Sequence, residues 1–116
     1  NLKPHGPGHG VGLAIAADSV VSGNVIENAP AMGVLVGYGP YLRDVIVSGN
    51  VLRATGIGVA VSVVKGSGTT LIADNLIGAS KGAVIGMEWE ERVTGDMTKD
   101  GIGRHAHLTL SGNKVR

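Results

Sequence analysis

Four related stretches decide the fold: Val21-Ser22-Gly23-Asn24-Val25-Ile26, Val47-Ser48-Gly49-Asn50-Val51-Leu52, Ile72-Ala73-Asp74-Asn75-Leu76-Ile77 and Leu110-Ser111-Gly112-Asn113-Lys114-Val115. The third carries Ala-Asp where the others carry Ser-Gly. Their asparagines are 26, 25 and 38 residues apart. Each tripeptide follows an aliphatic residue (Val21, Val47, Ile72, Leu110), and an aliphatic residue stands two positions after each Asn (Ile26, Leu52, Ile77, Val115). The third position after each Asn is mostly polar.

A second block lies between these copies. It reads Gly12-Leu13-Ala14-Ile15, Gly33-Val34-Leu35-Val36, Gly58-Val59-Ala60-Val61 and Gly82-Ala83-Val84-Ile85. Aligned on their glycines, these blocks put Leu13, Val34, Val59 and Ala83 in one column and Ile15, Val36, Val61 and Ile85 in another. Short, Gly-bounded, β-branched runs are strand signals. Continuous apolar character points to strands covered on more than one side. Two strands per period of about 25 residues predict a β-solenoid, with like residues stacked about 4.8 Å apart. The expected fold is all-β: a right-handed, single-stranded parallel β-helix of four to five rungs, with a longer loop or short helix near the C-terminus. An antiparallel β-sandwich is the competing fold, but it does not require column identity at this period. Asn and Gly suit a repeated left-handed bend. Asn24, Asn50, Asn75 and Asn113 are expected to form a structural ladder of amide hydrogen bonds.

Composition agrees with a narrow aliphatic interior. There are 16 Val and 8 Ile but no Phe, one Trp and two Tyr among 116 residues. The formal net charge of +1 offers no electrostatic footprint for nucleic acid. With no cysteine there is no disulfide framework, thiolate metal site or thiol nucleophile. No apolar run approaches the ~18 residues of a membrane-spanning helix. The chain begins with Asn1, and the expectation is a single β-helix domain over 1–116 that forms the C-terminal part of a longer protein.

Spacing also locates the insertions. From each Asn to the next block Gly the distances are 9, 8 and 7 residues, whereas from block Gly to the following Asn they are 12, 17, 17 and 31. The length variation falls on one connection, and such loops leave a solenoid on one side, usually the binding side. The loops run from 37 to 44, 65 to 69 and 86 to 107. They hold every aromatic residue, Tyr38, Tyr41 and Trp89, and 11 of the 19 charged residues. Exposed Tyr and Trp offer flat apolar faces with a polar tip, suited to a sugar ring or a protein partner. Alternatively they fold back onto the solenoid flank. The candidate binding residues are Tyr38, Tyr41, Arg43, Lys65 and Trp89. Met87 to Val93 lacks a β pattern and is expected to form a short helix ended by Thr94-Gly95-Asp96, covering the last rung.

No catalytic, metal or cofactor assignment follows. His5 and His9 lie in the Gly6-Pro7-Gly8-His9-Gly10 arm, which reads as a linker. His105 and His107 would share one strand face, but half a zinc site is too little. Asp18, Asp44 and Asp74 could act as paired carboxylates or Ca²⁺ ligands, yet Asp is first a turn residue. Arg43 beside Asp44, and Arg53 one rung from Glu27, suggest surface ion pairs between rungs.

The Ser-Gly-Asn rungs with Gly-Val-x-Val blocks resemble the right-handed parallel β-helix repeats of the pectate-lyase-like superfamily. The stretch Val84-Ile85-Gly86-Met87-Glu88-Trp89, then Val93-Thr94-Gly95-Asp96, then the ending Ser111-Gly112-Asn113-Lys114-Val115-Arg116, is similar to the end of the uncharacterised twin-arginine-translocated repeat proteins. That resemblance implies a periplasmic or secreted bacterial protein and no particular activity. Pectate lyases use Ca²⁺-binding carboxylates and a basic residue, and no full set is matched here.

The expected function is non-catalytic binding of polysaccharide or a cell-envelope partner through the loops on one flank. A polysaccharide lyase, hydrolase or epimerase with its active site in further N-terminal rungs is the alternative. A structural or oligomerising end segment is a third, since exposed terminal rungs near Gly12 would favour self-association.

Overall fold

A computed structural model describes residues 11–103 and 105–116; the His5–His9 arm lies outside them. The strands are β1 (Val11–Ile15), β2 (Ala17–Ser22), β3 (Val25–Glu27), β4 (Met32–Val36), β5 (Arg43–Ser48), β6 (Val51–Ser62), β7 (Thr70–Ala73), β8 (Leu76–Glu88), β9 (Glu91–Asp96), β10 (Leu108–Ser111) and β11 (Lys114–Val115). A short helix, α1, spans Met97–Asp100. The chain is a β-solenoid of about three turns with parallel, stacked coils. One sheet runs β10-β7-β5-β2. The other runs β1-β4-β6-β8, with β3 on the first half of β6, and β11 and β9 on β8. Every pairing except β8 with β9 is parallel.

The interior is built from stacked columns. Leu13, Val34, Val59 and Val84 form one, and Ile26, Leu52, Ile77 and Val115 another. Val34, Val59, Val84, Ile26, Leu52 and Ile77 are fully buried. A second apolar cluster, Ile57, Ala60, Ile85 and Met87 against Met32 and Leu35, lies on the opposite face of the block strands. Val59, Ala60 and Val61 are therefore buried in succession, on alternate sides of one strand.

The last block departs from the Gly-aligned columns by one residue. Gly82 stacks on Ile57, so Ala83, not Gly82, continues the column of Gly12, Gly33 and Gly58. Val84 takes the inner position and Ile85 turns to the second cluster. The physical reason is steric. A Cβ at Gly12, Gly33 or Gly58 would meet the next turn's backbone oxygen, of Gly33, Gly58 or Ala83, at 2.7, 2.8 or 2.6 Å. Ala83 has no parallel turn beyond it, so its methyl group fits. A one-residue slip exchanges the two faces of a strand, and burial of Val84 and Ile85 fixes the register.

At each bend the tripeptide glycine adopts left-handed backbone, with φ of 69° at Gly23, 64° at Gly49 and 65° at Gly112; Asp74 takes the same place with φ 55°. The asparagines then stack. Asn24 donates its Nδ2 to Oδ1 of Asn50 (3.1 Å), Asn50 to Asn75 (2.9 Å) and Asn75 to Asn113 (2.9 Å). The backbone N–H of Asn24, Asn50 and Asn75 donates to the same Oδ1 atoms. Asn50 and Asn75 are buried, and each also donates to the carbonyl of Val21 or Val47.

The segment after β8 is not the expected helix over Met87–Val93. It is a β-hairpin: β8 continues to Glu88, Trp89 and Glu90 make the turn, and β9 returns antiparallel. This hairpin covers the edge of β8. Asp96 accepts from the N–H groups of Ala83 (2.9 Å) and Val84 (3.3 Å), and Thr94 Oγ1 accepts from Gly86 (2.8 Å). The helix comes later, at α1, where Asp96 is also the N-cap. Buried Met97 of α1 joins the interior cluster and closes its end.

Candidate functional site

The three variable connections leave between the block strands and the β2-β5-β7-β10 sheet: residues 37–42 after β4, 63–69 after β6, and the β8–β9 hairpin with α1 after β8. They stack as the turns beneath them do. Ser62 Oγ donates to the Gly39 carbonyl (2.6 Å), Gly68 N–H donates to the Leu42 carbonyl (2.6 Å), and His107 Nε2 lies 3.0 Å from the Ser62 carbonyl. Leu42, fully buried, anchors the first loop beneath Gly37.

This stacking brings two aromatic side chains together from connections two turns apart. Tyr38 and Trp89 meet edge to face, with ring centroids 5.2 Å apart at 74°. That is a favourable arrangement of ring quadrupoles. Tyr38 is 42% exposed and Trp89 49%, so the pair rests on the flank without being absorbed by it. Gly39 makes room: a Cβ there would lie 2.5 Å from the Trp89 ring. The Tyr38 hydroxyl donates to Glu90 Oε2 (3.1 Å). Partial desolvation, then the hydrogen bond to Glu90 and its charge, raise the Tyr38 hydroxyl above the usual 10.0. It remains a donor throughout the physiological range. Trp89 sits at the hairpin tip with φ 57°, a left-handed conformation that bulky side chains seldom adopt.

The other candidates are placed differently. Tyr41, 71% exposed, ends a 3₁₀ turn over Gly39–Tyr41 and is not part of the ring pair. Lys65 is exposed in the middle loop. Arg43 is engaged: its Nη2 and Nε donate to the Asp18 carboxylate at 2.9 and 3.2 Å. This pair lowers the Asp18 pKa, chiefly through the hydrogen bond from Arg43, and raises that of Arg43 in turn. Its partner is thus Asp18 of the preceding turn, not neighbouring Asp44. Arg53 pairs with Glu27, also between turns. Both pairs are exposed and add little stability.

Asp18 and Asp44 stack across β2 and β5, both with left-handed backbone, φ 51° and 50°. They are bend residues, and Asp18 is committed to Arg43. His105 and His107 do not share a strand face; they lie in the turns before β10. Their rings stand 6.3 Å apart.

Reading the chain as loops and a helix missed the acidic setting of the pair. Glu88, Trp89, Glu90 and Glu91 are consecutive at the hairpin tip, and with Tyr38 they line an open cleft of about 410 Å³. The density of glutamates around the single Trp was visible, but the helix reading dispersed them around a cylinder. A second cleft of similar size is formed by α1 and β10, lined by Met97, Ile102, Leu108 and Leu110 among others; among the described residues its lining holds no ionisable side chain. Among the described residues, no helix is long and apolar enough to cross a membrane.

The fold and flank thus define a parallel β-solenoid with its variable loops gathered on one side. No protein family, curated protein or solved structure matches this chain.

Proposed function

We propose that this chain is a non-catalytic binding module, a right-handed parallel β-helix of the pectate-lyase-like kind in an exported bacterial protein. It holds polysaccharide or a cell-envelope partner against the loop-bearing flank. The observation that carries this reading is the Tyr38–Trp89 pair. Two rings from connections two turns apart are held together on a half-exposed surface, with Gly39 leaving space for one of them. A half-exposed indole ring, braced edge to face by a second aromatic ring and rimmed by polar groups, offers an apolar face for a sugar ring to stack on. Tyr41 and Lys65, exposed on the first and middle connections of the same flank, are the further candidate contacts, and Arg43 is tied to Asp18.

A panel of neutral, acidic and amine-bearing oligosaccharides tests the reading by calorimetry. The expected result is binding of at least one class, weakened about tenfold or more by Trp89→Ala and less by Tyr41→Ala. Absence of binding to every class removes the proposal.

A second reading has its own observation. The β8–β9 hairpin and α1 cover one end of the stack, as a terminal segment requires. On that reading the chain is a structural end piece, and Trp89→Ala changes nothing but local packing.

A further inference from the structure

The charge around the ring pair narrows the ligand class, on the footing that the flank binds polysaccharide. Glu88, Glu90 and Glu91 surround Trp89, and Glu90 is drawn against Tyr38 by the hydrogen bond from its hydroxyl. Among the described residues the lining of this cleft holds no basic side chain. Arg92, which keeps its charge beside Glu91, turns its guanidinium to the backbone carbonyls of Thr94 (3.1 Å) and Lys81 (2.7 Å). Arg43 is held by Asp18. Lys65 is the remaining basic residue among the candidates, and it belongs to another loop.

We infer that the Tyr38–Trp89 surface selects a polysaccharide bearing protonated amines, such as a glucosamine polymer free of N-acetyl groups, and rejects uronate polymers. An ammonium group is attracted to the face of an indole ring and to carboxylates beside it. A uronate carboxylate placed there meets like charge, which is how a surface discriminates against a wrong partner. The Trp89 ring, braced by Tyr38, supplies the apolar face and the glutamates supply the sign. The surface is open, not enclosed, so a polymer can lie across it and present several amines in succession.

The single Trp of the chain makes the test direct, because intrinsic tryptophan fluorescence reports on Trp89 alone. The whole chain is titrated at pH 5.5 and low salt with a glucosamine hexamer, an N-acetylglucosamine hexamer, an oligogalacturonate and hexalysine. The expected result is a change in Trp89 emission with the glucosamine hexamer. Its affinity exceeds that of the N-acetylated hexamer about tenfold and falls as salt rises. Glu91→Gln and Glu88→Gln alter exposed side chains that make no ion pair among the described residues; each weakens glucosamine binding about two- to fivefold while leaving the melting temperature in place. Equal or tighter binding of the N-acetylated hexamer or of oligogalacturonate overturns the amine selectivity and leaves polysaccharide binding standing. Hexalysine binding as tightly as the sugar overturns it as well, since charge alone would then suffice. Silence toward all three sugars overturns both readings.

Discussion

At Gly12, Gly33 and Gly58 the backbone of the next turn comes so near that a side chain is excluded, while Ala83, at the same position on the last parallel turn, meets no such limit. The glycine column is thus a record of stacking: it persists where another coil lies above and ends where none does. Gly58→Ala should cost about 2–3 kcal/mol, as overpacking against backbone does. Ala83→Gly, which adds chain entropy and removes one buried methyl group, should cost less, about 1–2 kcal/mol. Urea denaturation of the two variants measures the difference, and equal losses would refute the stacking account. The asparagines differ from the glycines in kind. Each buried Asn side chain supplies a donor and an acceptor that its own type completes, so replacing one strands polar groups in two turns. The Asp74 bend shows the tolerance of the motif, since the carboxylate residue accepts left-handed backbone where the other copies use Gly.

Among the elements, the strands were legible and the hairpin was not. Alternating Gly and β-branched residues carry their own signal, because parallel strands buried on both faces read as short apolar runs. Met87 to Arg92 holds good helix formers, but the edge of β8 offers backbone partners that a helix cannot use. Tertiary pairing therefore overrides propensity, and the helix forms four residues beyond the expected end of the first, where Asp96 can cap it. The same misreading hid the site: Tyr38 and Trp89 were legible as loop aromatics, whereas their meeting depends on a hairpin that reaches across two turns. Asp96 links the hairpin, the edge and the helix. Burial tends to raise its carboxyl, but hydrogen bonds from Ala83, Thr98 and Val84 outweigh that and hold it below the ordinary value of 3.8. A depressed carboxylate stabilises the fold above its unfolded pKa and ceases to do so as pH falls through the folded one. Asp96→Ala should therefore cost about 1–2 kcal/mol at pH 7. The gap between the thermal melts of wild type and variant should close below about pH 4. A gap that stays constant down to pH 3 would show that the loss is packing and not the charged cap.

For the molecule as a whole, stability should be graded along the stack. The strands of each turn pair only with those of the neighbouring turns, as in other solenoids, while the Tyr38–Trp89 contact reaches across two, so the number of covered edges sets the local opening energy. The second half of β6, Ile57–Ser62, is paired with β4 on one side and β8 on the other, and its residues are almost all fully buried. β11 is two exposed residues paired with Leu76 and Ile77 alone. Its amides hydrogen-bond inward, from Lys114 to the Asn75 carbonyl, with Arg116 beyond it reaching that of Ile77, but nothing among the described residues covers its outer side. Native-state hydrogen exchange should find the amides of Val59 to Ser62 opening only with global unfolding, and those of Lys114 to Arg116 opening by local fraying at far lower free energy. The β8 amides of Ala83, Val84 and Gly86 decide between two accounts of the end cover. Asp96 and Thr94 accept from all three. If the hairpin is a true substitute for a further coil, these amides exchange as slowly as β6. If they exchange with β11, the hairpin lies over the edge without sealing it, and the end of the stack stays open to another strand.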